Sequence, residues 1–176
     1  MIERQFNIQY MYTHTYPLFF KLIYRYGNIP ITLLFLLYLV PSVINIDNNL
    51  LFLIPTVLLL FFIYFINKRY LSLYKAVPYK IISDDRKLTC SDFLFSKREL
   101  TIFYEDITVL EGGIFDGNLN GLMKIYDDKN KVLIGFYPKI KEANKLQTQI
   151  LSRVNQSVYE EVVNKISTRR NPQKKK

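Results

Sequence analysis

The chain has 176 residues, of which 49% are hydrophobic, with a formal net charge of +9. One cysteine and one histidine exclude an internal disulfide, a thiolate metal cluster, and a histidine-based metal site or triad within one chain. The charge is unevenly spread: residues 81–161 hold 11 Lys and Arg against 13 Asp and Glu, whereas the rest holds 13 basic residues against Glu3 and Asp47 alone.

In chain order, Phe6, Ile8, Tyr10 and Tyr12 alternate with Asn7, Gln9 and Met11, the period of a strand. With no local partner, this strand is expected to join a sheet formed later in the chain, covering residues 1–15. Thr15 and Pro17 then predict an N-capped helix over residues 16–28. On it, Lys21 and Arg25 share one face, and Leu18, Phe19, Leu22, Ile23 and Tyr26 form an apolar side. Such a helix suits a membrane interface.

Residues 29–46 and 50–66 are two uncharged apolar runs separated by Asp47-Asn48-Asn49. The first spans about 27 Å as a helix, close to the hydrocarbon thickness of a bilayer. Basic residues Lys21, Arg25, Lys68 and Arg69 flank the outer ends and none lies in the turn, so both termini are expected in the cytoplasm. Tyr24, Tyr26, Tyr64 and Tyr70 occupy the positions of interfacial aromatics. A signal peptide fits poorly: the first run starts late, lacks a small-residue cleavage pattern and is followed at once by another. Pro30, Pro41 and Pro55 keep a re-entrant wedge open as an alternative to a crossing hairpin, and a buried soluble hairpin is the third reading. Residues 67–77 form a basic juxtamembrane segment, in which Lys68, Arg69 and Lys75, with Lys80 beyond it, could contact anionic headgroups or only set topology.

A soluble domain over residues 78–167 follows, with strands at residues 79–83, 88–95, 100–104, 107–110, 122–126 and 132–137. Helical spacing of Ala143, Leu146, Ile150, Leu151 and Val154 begins near Lys141, and a second helix is expected at residues 158–166. The basic tail, residues 168–176 with Arg169, Arg170 and Lys174 to Lys176, has no apolar content and reads as disordered. The expected architecture is a membrane α-helical hairpin plus an α+β domain, a curved antiparallel sheet or partial barrel capped by the C-terminal helix.

The segments FNIQYMYTHTYPLFFKLIYRYG, LTIFYEDITVLEG and GLMKIYDDKNKVLIGFYPK, in this order around an apolar hairpin, are similar to the YcxB-like group of bacterial membrane proteins. Two departures are Tyr104, where Trp is common, and the extra tail after Ser167. The resemblance implies a cytoplasmic pleckstrin-homology-like domain with two transmembrane helices in the bacterial inner membrane, and no defined biochemical activity.

The Gly-rich run EGGIFDGNLNG lacks the Lys of a phosphate-binding loop and is flanked by strands, so hairpin or bulge glycines account for it better. The doublets Asp84-Asp85, Glu105-Asp106, Asp127-Asp128 and Glu160-Glu161 fit turns and solvated surface better than paired-carboxylate chemistry. No catalytic, metal or cofactor residue is expected. Two functional classes fit: a membrane-anchored module binding a protein, peptide or lipid headgroup, or a ligand-gated effector whose domain senses a small molecule such as a nucleotide signal and rearranges a homo-oligomer. Uncharged spans favour the first. The near-neutral domain gives little reason to bind nucleic acid.

Overall fold

A computed structural model describes residues 11–170. The chain is an α+β protein with two antiparallel sheets and, among the described residues, five α-helices. It divides into two compact units, Leu18–Lys75 on the one hand, and residues 1–17 with 76–176 on the other.

The sheet unit is built from strands β1 (Tyr12–Thr15), β2 (Pro78–Ser83), β3 (Lys87–Phe93) and β4 (Leu100–Phe103) in that spatial order, and from β5 (Val109–Glu111), β6 (Met123–Asp127) and β7 (Val132–Phe136). Every pairing is antiparallel. Alternate residues face the core: Tyr79 and Ile81 on β2, Leu88 and Cys90 on β3, Met123 and Ile125 on β6 are all buried. Phe115 and Phe136 meet edge to face at 6.4 Å. Two helices close the unit. On α4 (Ala143–Arg153), Leu146 and Ile150 are buried and Gln147 reaches Met123 Sδ. Helix α5 (Gln156–Arg170) holds the Gly-rich connection between β5 and β6, with Arg169 donating to the Asp116 carbonyl and Lys165 to that of Leu110.

The alternation expected over Phe6, Ile8 and Tyr10 lies outside the described residues; from Tyr12 it continues through β1. Thr15 corrects the expectation for a helix cap. It ends the strand, pairing with Lys80, and its carbonyl accepts the Lys141 N–H at 2.9 Å. The ladder takes the residue because His14 before it and Tyr16 after it are buried in the core. The Gly-rich run forms a short 3-10 turn over Gly113–Asp116. Helix α5 continues to Arg170, past the point where disorder was expected, because Arg169 finds a backbone acceptor.

The second unit holds α1 (Leu18–Tyr26), α2 (Asn28–Ile44) and α3 (Leu53–Tyr74). The basic stretch after Ile66 is helical: α3 carries Lys68 and Arg69 and ends one residue before Lys75. Helices α1 and α2 meet at a 44° bend. Gly27 sits there because a Cβ would stand 2.6 Å from the Ile23 carbonyl oxygen. The Tyr70 hydroxyl accepts from Gly27 N–H at 3.0 Å and donates to Ile23 O at 2.7 Å, tying the bend to α3. Asn67 bonds Asn28 and Thr32 across the helix pair, and Ser42 bonds Thr56. The apolar exterior is uncovered, with Leu37 73% exposed. By length and composition one helix, Leu50–Tyr74, could cross a membrane, or two segments if the bent pair counts as one.

Candidate functional site

Within the sheet unit, the antiparallel register defines two ends. At one, the chain leaves after Thr15 and returns before Pro78. At the other, β2 turns into β3 through Asp84, Asp85 and Arg86. Asp84 Oδ1 accepts the backbone N–H groups of Arg86 and Lys87, both at 2.8 Å, which shapes this turn.

Arg153, the last residue of α4, anchors the turn from the other side. Its guanidinium donates to the Asp84 carbonyl at 2.9 Å and to Asp85 Oδ1 at 2.6 Å, and lies 5.5 Å from the centre of the Tyr104 ring. Burial pushes the Tyr104 phenol up to about 12, against the opposing pull of Arg153. It therefore stays protonated and donates to the Asp84 carbonyl at 3.3 Å.

Two clefts flank the Asp85–Arg153 pair. One, of about 420 Å³, is lined by Arg86, Phe103, Tyr104 and Glu105. The other, of about 450 Å³, is lined by Tyr12, Asn144, Lys145, Thr148 and Gln149. The Lys145 ammonium sits 3.5 Å from the centre of the Tyr12 ring. Together they make a groove walled by charged, amide and aromatic side chains.

Beneath the second cleft runs a buried polar chain. Ser83 Oγ lies 2.7 Å from Gln149 Oε1 and 3.2 Å from His14 Nε2, and His14 Nδ1 lies 3.1 Å from the Lys141 carbonyl. A carbonyl only accepts, so in the neutral ring Nδ1 carries the proton and donates to Lys141, while the single Ser83 hydroxyl proton goes to Gln149 Oε1. Burial holds His14 below its ordinary value near 6.5, with Lys145 pushing the same way and the Lys141 carbonyl and Glu142 opposing. Below pH 6.5 the unfolded chain takes up a proton that the folded chain refuses, so stability is expected to fall as the pH is lowered toward the depressed folded value. Thermal denaturation between about pH 7.5 and pH 5 reads this slope, and His14→Asn should flatten it. An unchanged slope in that variant would assign the pH dependence to other groups.

Asp84-Asp85 and Glu105-Asp106 lie in the connections that follow β2 and β4, and Asp127-Asp128 spans the end of β6 and the turn after it, whereas Glu160-Glu161 is exposed on helix α5. Asp127 accepts from Asn130 backbone and side chain, and Asp106 pairs with Lys129 at 3.1 Å. Among the described residues no group of three His, Cys, Asp or Glu side chains could hold a metal ion. Cys90 is fully buried, which pushes its thiol well up and leaves it unreactive.

Of the basic residues expected at a membrane surface, Lys21 and Arg25 lie on α1, and Lys68, Arg69 and Lys75 at the C-terminal end of α3. Tyr24 stacks on Tyr74 at 5.8 Å, so these five belong to the same end of the helical unit. Lys68 bonds the Tyr64 hydroxyl. Lys80 belongs to the sheet unit, exposed on β2. Arg153 and the groove have no signature in the sequence, because the residues that form it come from β1, the β2–β3 turn, the end of β4 with Tyr104 and Glu105 after it, and α4, and no local pattern joins them.

No family model, curated protein or solved structure matches this chain.

Proposed function

We propose that the protein is a non-enzymatic, membrane-anchored binding module. Residues 18–75 cross the bilayer as a hairpin, and a pleckstrin-homology-like domain on the cytoplasmic side offers the groove around Arg153 to a protein, peptide or lipid headgroup. One observation carries the topology: β1 and β2 are paired neighbours, yet the whole apolar unit lies between them in sequence. A segment inserted between two paired strands begins and ends on one side of any bilayer, so it crosses an even number of times. The choice is two crossings or none, and α3 alone as a single span is incompatible with the ladder. Helix α3 would reach about 33 Å and α2 about 26 Å, which suits crossing. The uncovered apolar faces of α1, α2 and α3 argue for lipid as their solvent.

Two small antiparallel sheets with α4 and α5 against them fit the curved, helix-capped architecture that the YcxB-like resemblance implies. The polar side chains Asn28, Thr32, Asn67, Ser42 and Thr56 bond to one another within the helix pair. That leaves little to line an ion path and favours the binding module over the gated effector.

A cysteine in place of exposed Asn48 should label from outside intact cells, and one in place of exposed Ser157 only after permeabilisation. External labelling at Ser157 would sink the topology, and protection of Asn48 would turn the hairpin into a wedge. Pull-down of the full chain from its own membranes, against residues 18–75 alone, should enrich a partner that is lost on Arg86→Glu and Lys145→Glu. Equal enrichment by residues 18–75 would remove the binding role from the groove.

A further inference from the structure

The sheet unit carries its two most exposed large apolar side chains, Leu119 at 85% and Phe95 at 76%, in separate loops. Strand register places both loops at the same end. Pro78 at the start of β2 pairs with Phe93 at the end of β3, so the β3–β4 loop, residues 94–99, adjoins the point where the chain returns from residues 18–75. In the second sheet, Gly135 N–H donates to the Ala76 carbonyl at 2.8 Å, Lys124 pairs with Gly135, and Glu111 pairs with Lys124. The β5–β6 connection, which carries Leu119, therefore begins at that end as well. The groove around Arg153 lies at the opposite end.

Phe95 occupies its position against local preference. Ser96 N–H bonds the Phe93 carbonyl at 3.3 Å, and Phe95 is the third residue of that four-residue turn, with φ +54°. Glycine or asparagine normally takes such a place, since a bulky side chain is strained there. Its side chain stands outward while its neighbours Phe93 and Leu94 are buried. Beside it, Lys97 is exposed and the Arg98 guanidinium lies 4.5 Å over the Phe93 ring, with Glu99 as the loop's single carboxylate. Lys80 is exposed on the same end of β2.

An aromatic wedge flanked by cations, a second apolar tip, and the strand ends that lead to an apolar hairpin converge on one end of the sheet. We propose that the loops carrying Phe95 and Leu119 dip into the headgroup region of an anionic phospholipid bilayer, with Lys97, Arg98 and Lys80 facing lipid phosphates. This rests on the membrane reading of residues 18–75 and adds a second contact that holds the domain against the surface. Interfacial aromatics and leucines gain from apolar burial at shallow depth, and nearby cations add attraction to anionic lipid.

The full chain reconstituted in phosphatidylserine-containing vesicles tests it, with one environment-sensitive fluorophore attached to a cysteine replacing Phe95, Leu119, Leu37 or Lys129 in turn. Buried Cys90 stays unlabelled in the folded protein. The bilayer should blue-shift the emission of positions 95 and 119, and nitroxides near the headgroup should quench both and leave position 129, at the far end, unaffected. Nitroxides deep in the acyl chains should quench position 37, near the middle of α2. Lys97→Glu with Arg98→Glu should weaken quenching at 95. Quenching at 37 without quenching at 95 and 119 overturns the loop contact and leaves the membrane reading intact. Absence of quenching at 37 overturns both. A blue shift at 95 that follows protein density, without quenching by nitroxide lipid, assigns the loops to a second copy of the chain and overturns the lipid contact.

Discussion

A chain beginning at Ala76 is expected to lose its cooperative thermal transition, although it retains six of the seven strands among the described residues and both C-terminal helices. Removing the first strand uncovers β2 along its whole ladder with Tyr12 to Thr15. It also deletes buried Tyr16, which packs edge-on against Tyr79 at 6.0 Å and accepts the Tyr137 N–H at 2.8 Å. His14 and Thr15 go too, leaving the Lys141 carbonyl without the His14 ring and the Lys141 N–H without the Thr15 carbonyl. A buried tyrosine contributes roughly 2–3 kcal/mol and each orphaned buried polar group costs about 1–3 kcal/mol. The sum approaches the whole stability of a small domain, about 5–15 kcal/mol. Residues 11–17 joined to Ala76 through a flexible linker should restore the transition. A cooperative unfolding curve from the truncated chain would show that β1 decorates the sheet and does not complete it.

Gly112→Ala is expected to be the most damaging single methyl in the chain. Gly112 has φ +75° and ψ 168°, a conformation open essentially to glycine alone, and a Cβ there would overlap the Leu122 carbonyl oxygen. That oxygen belongs to backbone entering β6, so it cannot move without disturbing the ladder that pairs Glu111 with Lys124. The loop is pinned further by the Gly112 N–H bond to Asp116 Oδ2 at 2.8 Å. A loss of about 3 kcal/mol or more is expected, seen as a fall in thermal midpoint of roughly 10–20 °C in detergent. Asn120→Ala in the same connection, at an exposed position, should change the midpoint by little. Equal midpoints for Gly112→Ala and the unchanged protein would contradict this loop geometry.

Much of the architecture is legible in the residues themselves, where one local periodicity suffices. Uncharged apolar runs broken at Asp47-Asn48-Asn49 specify two helices with a turn. Alternation from Tyr79 onward specifies strands, and the 3.6-residue recurrence of Leu146 and Ile150 specifies α4. The basic residues Lys68 and Arg69 were legible as flanking charges, yet their helical conformation was not, because a run chosen for hydropathy stops where the apolar residues stop and the backbone does not.

The pairing partner of β1 was suggested by its orphaned edge, but its register depended on tertiary contacts. His14 is a polar residue at an inward position, and only Ser83 and Lys141, far along the chain, make that burial tolerable. The same holds for the groove. Arg153 reads as an ordinary basic residue ending a helix, until the β2–β3 turn brings the Asp84 carbonyl and Asp85 to its guanidinium. Phe95 and Leu119 likewise sit apart in sequence, and only the ladders Pro78 to Phe93 and Lys124 to Gly135 bring their loops to the end where the chain departs for its apolar hairpin. Composition and spacing determine what each segment becomes, because the forces that select a helix or strand act over a few residues. Which side chains meet is decided by long-range register, since a shift of one residue in an antiparallel pair moves every side chain to the other face.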